Sequence, residues 1–275
     1  MYGSHGLEKS HWHLDDIRYG DVDIARVRER EELFILVCSA SFIESCSDIY
    51  THNLVTNFSD DPEIAVWLSE QWQPEELQHG RALKAYVEHV WPEFDWNLAF
   101  ADLLSEYSKL CSMEKLEPTR AQEMVSRCIV EMGTATYYQA LHVVCDEPIL
   151  QDLAWRIRND ELKHYKHFYR YFLKYQMQDP ISRSQVVAAL WRRLIELRQT
   201  DTRIAIRYAA KWGFSGRESS PSFEDISKRV FGLMGVHYPI KLAVQMTLKP
   251  LQLNVRLRHL AERPLAMIAR RVLRS

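Results

Sequence analysis

The sequence predicts an all-α protein of 275 residues, and three observations carry that prediction. Glycine is scarce, with 9 in the whole chain, and alternating β-branched patterning is rare, so little in the chain asks for strand. Long apolar runs at helical spacing are bounded by proline and by capping residues. Two of those runs place a glutamate three residues before a histidine, Glu76 with His79 and Glu161 with His164. On a helix, side chains at i and i+3 are surface neighbours, so both can grip one ion. A composition of 47% hydrophobic and 26% charged residues suits an ordinary globular core.

Residues 1–21, polar and rich in His and Asp, read as a loosely packed N-terminal arm. From Val22 to Phe58 the pattern is helical, with Leu33, Leu36, Val37, Ala40, Ile43 and Leu54 near one stripe. The longest apolar run there, Leu33–Ile43, is too short to span a bilayer. Asp61-Pro62-Glu63 starts the next helix with an N-cap, a proline in the first turn and an acid near the positive end. That helix should run to Val90 and stop at Trp91-Pro92, kinked or restarted at Pro74. A connecting helix is expected over Trp96–Met113. Pro118-Thr119 opens a long helix to Val144, and Asp146-Glu147-Pro148 separates it from Ile149–Gln176. Residues 22–179 therefore read as four long bundle segments. Asp179-Pro180 marks a boundary, and 180–275 read as a basic helical extension. Within it we expect a helix over Ser182–Lys211, a linker at 213–222, and helices over Phe223–Gly235 and Ile240–Arg271, broken at Pro239, Pro250 and Pro264.

Glu44, in LVCSASFIESCSDIY, and Glu131, in VSRCIVEMGTATYYQAL, complete a larger set. The order is Glu, Glu-x-x-His, Glu, Glu-x-x-His, at intervals of 32, 55 and 30 residues. Di-iron and di-manganese carboxylate proteins of ferritin-like fold carry this pattern. The expected fold is thus a ferritin-like four-helix bundle with additional C-terminal helices. Hard oxygen donors with borderline nitrogen donors suit two Fe ions, with Mn as the alternative, and no cysteine sits in the pattern to favour zinc or an iron–sulfur cluster. Each metal would take one terminal Glu (Glu44 or Glu131) and one His, with Glu76 and Glu161 bridging. Four buried carboxylates need compensating cations, which the metals supply. Glu75 with His79 makes an i,i+4 alternative, and Glu76 is preferred because its spacing matches that of Glu161. Glu8 and His11 share the spacing but lie outside any apolar run. Trp67, Trp72, Tyr86, Tyr137 and Tyr138 read as core, and His142, His167, His237 and His259 have no partner spacing.

The net charge of −2 hides an asymmetry. Residues 1–179 hold 17 Lys/Arg against 31 Asp/Glu, whereas 180–275 hold 18 against 6. An acidic partner for the C-terminal third is implied. Arg192, Arg193, Arg198, Arg203 and Arg207 recur along one expected helix, and Arg256, Arg258, Arg263, Arg270, Arg271 and Arg274 form a second cluster. The five cysteines, Cys38, Cys46, Cys111, Cys128 and Cys145, lie in apolar runs without CxxC spacing. With no signal-peptide pattern, they point to reduced thiols in a cytoplasmic protein. No Gly-rich phosphate loop, Ser/His/Asp order or zinc-finger spacing is present, and no nucleic-acid partner is expected.

The segment IAVWLSEQWQPEELQHGRALKAYV resembles the soluble acyl-carrier-protein desaturases, with Glu-Glu-x-x-His-Gly and Trp72 just before it. EMGTATYY resembles that family's Glu-x-x-Thr segment, NDELKHY its Asp-Glu-x-x-His, and Glu44 and Tyr50 keep its Glu-to-Tyr spacing. The resemblance covers Glu44–Tyr171. It implies that Glu44, Glu76, His79, Glu131, Glu161 and His164 are di-iron ligands. It further implies that Thr134 stands near the oxygen-binding side, that Asp160 hydrogen-bonds a ligand histidine on the electron path, and that Trp12 is that path's tryptophan. The activity implied is O2-dependent desaturation of an acyl thioester, fed by an external electron donor such as ferredoxin, in a homodimer. The partner implied for the Arg192–Arg207 cluster is an acyl carrier protein or other acyl thioester carrier. For Ile240–Arg271 an anionic membrane surface competes, since that stretch has both basic and apolar faces. The chain departs from the family in its short region before Glu44, in Pro74 for a small residue, in Ala135-Thr136 after Thr134 where the family has Phe, and after residue 180. Those departures bear on substrate and regiochemistry. Hydroxylation or N-oxygenation at the same site is the alternative, and ferroxidase or iron storage the next.

Overall fold

The computed structural model describes residues 12–216 and 221–274, except the side chains of 198, 199 and 272–274. The Glu8/His11 pair and residues 217–220 of the expected linker lie outside them. Among the described residues every regular element is a helix, so the protein is all-α.

The first long helix, α1 (Glu31–Ser45), and α2 (Ser47–Asn57) are separated only at Cys46. Expected to bury one stripe, α1 instead buries every residue from Leu33 to Phe42. A helix apolar on all sides has to be covered on all sides, and α1 lies at the centre of the fold. Glu31–Asn57 is long and apolar enough to cross a membrane by length and composition, yet 72% of its apolar 18-residue window is buried inside the protein.

Helix α3 (Pro62–Trp67) leads through a five-residue π-helical turn, Leu68–Trp72, into α4 (Gln73–Val90). The turn accommodates Pro74. Gln73 N–H donates to the Leu68 carbonyl, five residues back, and the widened ladder absorbs the proline's missing donor. Helix α5 (Trp96–Tyr107) stops short of Met113, which starts a separate 3-10 turn. The longest helices follow: α6 (Arg120–Val144), capped by the Thr119 side chain, and α7 (Pro148–Gln178), capped by Glu147. They pack against each other along their lengths, as α1 does against α4.

Helices after residue 180 pack onto those before it. Helices α8 (Arg183–Glu196) and α9 (Thr202–Gly213) are joined by a second π-turn, Leu197–Asp201, where one uninterrupted helix was expected. Then come α10 (Phe223–His237), α11 (Ile240–Leu248) and α12 (Val255–Arg274). Pro250 does end a helix, in a 3-10 turn followed by Gln252 in the left-handed region (φ 47°). Pro264, in contrast, sits inside α12, which continues past it. Helices α9 and α10 cover α1, while α8, α10 and α11 cover α6. Ile204, Ala209, Ile226 and Val230 join one apolar cluster, and Val186, Leu190 and Met246 join the other.

Two further expectations are revised by packing. The N-terminal arm is not loose from Trp12 onward: Trp12 and Ile17 are buried. Much of the first arginine cluster is paired inside the chain, Arg192 with Glu117, Arg207 with Glu106 and Arg193 with Glu196, while Arg203 lies over the Phe223 ring. The Arg198 side chain lies outside the described set. The cysteines are free, and all but Cys111 are buried.

Candidate metal centre

Four helices carry six side chains to one place: Glu44 on α1, Glu76 and His79 on α4, Glu131 on α6, Glu161 and His164 on α7. Helices α1 and α4 approach closely because position 80 is glycine. A Cβ there would come within 2.9 Å of the Ser45 backbone nitrogen. Gly80 follows His79 and Ser45 follows Glu44, so the closest approach lies beside two side chains that must converge. All six residues are at most 7% exposed.

One donor-type atom from each of Glu44, Glu76, His79 and Glu161 lies within 4.8 Å of the others, and the same is true of Glu76, Glu131, Glu161 and His164. The two groups share Glu76 and Glu161. Atoms bound about 2.1 Å from one ion sit within roughly 4 Å of each other, so each group is within about 1 Å of the span of one coordination sphere. The histidines cross between motifs. His79 Nδ1 is 3.2 Å from Glu161 Oε1 and 4.0 Å from Glu44 Oε2. His164 Nδ1 is 3.0 Å from Glu76 Oε1 and 3.5 Å from Glu131 Oε2.

Near as they are, Glu76 Oε1, His79 Nδ1, Glu131 Oε2, Glu161 Oε1 and His164 Nδ1 make no hydrogen bond among the described residues. Each unsatisfied buried polar atom costs about 1–3 kcal/mol. Five of them facing one another are accounted for if cations share the space between. The donor set fits hard or borderline divalent ions.

Outside the cluster, each imidazole is held by a carboxylate. His79 Nε2 lies 3.3 Å from Asp160 Oδ2, and His164 Nε2 lies 2.7 Å from Glu75 Oε2. An ionised carboxylate only accepts, so in the neutral rings Nε2 carries the hydrogen and Nδ1 turns a lone pair inward. This separates Glu75 from Glu76: Glu76 enters the cluster, and Glu75 backs His164 from outside. Trp12 Nε1 donates to the same Asp160 oxygen at 2.7 Å, and its ring lies parallel to His79 with centroids 6.0 Å apart. A hydrogen-bonded chain thus runs from Trp12 through Asp160 to His79. On the opposite side, the edge of Trp67 meets His164.

Two donors that the sequence marks only as core also serve the cluster. Trp72 Nε1 donates to Glu131 Oε1 at 3.3 Å, and Tyr138 OH donates to Glu44 Oε1. A signal for both existed: Trp72 stands one turn before Glu76, Tyr138 stands two turns after Glu131, and a buried Trp or Tyr needs an acceptor. Thr134 is half-buried, and its hydroxyl donates to Glu161 Oε2 at 2.6 Å, nearer than the Val130 carbonyl at 3.3 Å.

Burial and mutual repulsion set the acidities. Burial, then the Glu161 charge, pushes Glu76 up to about 7 and Glu131 up to about 8. Glu44 is raised by burial and by Glu76 and Glu161. Burial alone would lower the histidines. The hydrogen bond to Asp160 and the facing Glu161 carboxylate raise His79, and the facing Glu131 and Glu76 carboxylates together with the hydrogen bond to Glu75 raise His164. Glu161 and Asp160 are pushed up by burial but end below the ordinary range, because His79 and, for Glu161, His164 favour their ionised forms. Protons and metal ions therefore compete for the same atoms.

The structure brings all six expected ligands together, with Thr134 and Asp160 in contact with them. Compared with known proteins, the chain matches no protein-family model and no curated protein.

Proposed function

We propose that this chain is a ferritin-like di-iron carboxylate oxidoreductase, using O2 and externally supplied electrons on an aliphatic substrate, in the first place an acyl thioester. The observation that carries this reading is the pair of overlapping four-residue groups sharing Glu76 and Glu161. Glu44 and His79 would hold one ion, Glu131 and His164 the other, with the two shared glutamates between them. When bound, the metal pair supplies the O2 reduction and C–H oxidation that side chains cannot perform.

The chain's own part is positioning. Asp160 and Glu75 fix the imidazole tautomers, and Trp72 and Tyr138 fix the terminal carboxylates. Trp12–Asp160–His79 offers a hydrogen-bonded route toward the cluster for electrons. Thr134 holds Glu161 and is, among the described residues, the hydroxyl bonded to a shared glutamate, a position suited to moving a proton during O2 chemistry. Hydroxylation or N-oxygenation uses the same arrangement, and product analysis separates these outcomes from desaturation.

Metal analysis tests the site directly. Iron-loaded protein should contain two ions per chain, and Glu131→Ala should lose at least one while keeping its helical circular dichroism. A stoichiometry of two in both proteins would overturn the ligand assignment.

A further inference from the structure

The last helix shows an unusual face to solvent. Along α12, Leu257, Leu260, Pro264, Met267 and Ile268 recur at helical spacing and form one stripe. That stripe points away from the protein: Leu260 is 72%, Met267 63% and Ile268 58% exposed. The helix instead rests on α10 and α11, with Ala261, Ala266 and Ala269 half-buried. Three arginines seven residues apart, Arg256, Arg263 and Arg270, form a row beside the apolar stripe, and Arg271 is exposed as well. Among the described residues none of these four has a carboxylate partner, and Glu262, the only acid on α12, pairs with Arg258. The surface extends beyond the helix. Val236, 79% exposed at the end of α10, and Lys241 on α11 line a cavity of about 600 Å³ together with Arg270.

From this we infer that α12 docks the protein on an anionic phospholipid surface, the apolar stripe entering the acyl boundary and the arginine row meeting headgroup phosphates. Two features select this occupant. A bulky apolar stripe flanked by arginines and nearly free of acid is the pattern of helices that lie in a membrane interface. A second copy of the chain fits poorly, because an antiparallel twofold pair sets like flanks together and would oppose the two arginine rows. An acidic protein would answer the arginines but leaves the protruding Leu260, Met267 and Ile268 without a reason.

The full-length protein is sedimented with vesicles of phosphatidylcholine alone and of equal parts phosphatidylcholine and phosphatidylglycerol. It should bind the second and not the first, with binding falling as salt rises. Each arginine near an anionic surface contributes about fivefold to partitioning, so Arg256→Glu with Arg263→Glu and Arg270→Glu should reduce it at least a hundredfold. Leu260→Asp with Ile268→Asp leaves every arginine in place and should also abolish binding. These side chains are exposed, so both variants should keep the parent melting temperature. Equal binding to both vesicles, or unchanged binding of the aspartate pair, overturns the proposal. So does a stripe-dependent dimer in sedimentation velocity, or arginine-dependent capture of an acyl carrier protein with no vesicle binding.

Discussion

Asp160 shows how much one residue outside the ligand set decides. It accepts from Trp12 and Lys163 and faces His79 Nε2, and it is itself buried. Its charge holds the His79 ring in the orientation that aims Nδ1 at the cluster. Removing such a partner typically costs about 10–100-fold in metal affinity. Asp160→Asn should show that loss in chelator competition while keeping the helical circular dichroism of the parent. Unchanged affinity would reduce Asp160 to a packing residue. The two Glu-x-x-His pairs of the candidate ligand set were legible because i,i+3 spacing inside apolar runs fixes which side chains share a helix face, whereas Asp160 was legible only through the resemblance of NDELKHY. The choice between Glu75 and Glu76 was less so, since both spacings reach His79 on one helix. What separates them is α7, which offers His164 Nδ1 to one and Nε2 to the other. Trp72 and Tyr138 were legible as buried but not as donors to Glu131 and Glu44, which lie on other helices.

Among elements, helix starts were the most readable, and of the prolines only Pro264 departs from its expected effect. Helices begin at Pro62, Arg120, Pro148 and Arg183, within two residues of the expected starts, although Asp61, the expected N-cap, makes no side-chain cap bond. Pro74 was expected to kink or restart its helix, and the α-helix does restart at Gln73 after one π-turn, whereas Pro264, expected as a break, is carried inside α12. A missing N–H costs little where the ladder widens, and the sequence does not say where that happens. The contact between α1 and α4 gives an element-scale prediction. Gly→Ala within a helix ordinarily stabilises by about 1 kcal/mol. At position 80 the new methyl would meet the Ser45 backbone at 2.9 Å, beside Glu44 and His79, and that neighbour cannot rotate away. Overpacking of this kind costs about 1–3 kcal/mol. Gly80→Ala should therefore lower the melting temperature and weaken metal binding, by forcing the two ligand helices apart. A variant more stable than the parent with normal metal content would show that the helices slide apart freely.

At the scale of the molecule, residues of the expected arm and of the expected basic extension pack into the same two apolar clusters as the helices between them. The reason is in α1, whose apolar residues face every direction and require α9 and α10 as well as α4. Such an all-round pattern was present in the sequence, although a stripe reading passes over it. With the centre closed to water, its charge balance sets a pH dependence for the whole fold. In metal-depleted protein, Glu76 and Glu131 titrate near 7 and 8, well above the ordinary 4.5. A carboxyl raised by folding stabilises fully below its unfolded value and loses that contribution as pH rises through its folded value. His79 and His164 are raised above 6.5 by their carboxylate neighbours and act in the same direction. Glu161 and Asp160 are depressed, so their contribution is lost only on acidification below about 4. Chelated protein should thus be most stable near pH 5 and lose stability steadily toward pH 8. Metal ions replace those protons, so loading should release protons, and the gain in melting temperature on loading should grow across the same interval. Melting curves of chelated and iron-loaded protein at several pH values measure this. A gain independent of pH would mean that the buried glutamates and histidines are not the groups the metal displaces protons from.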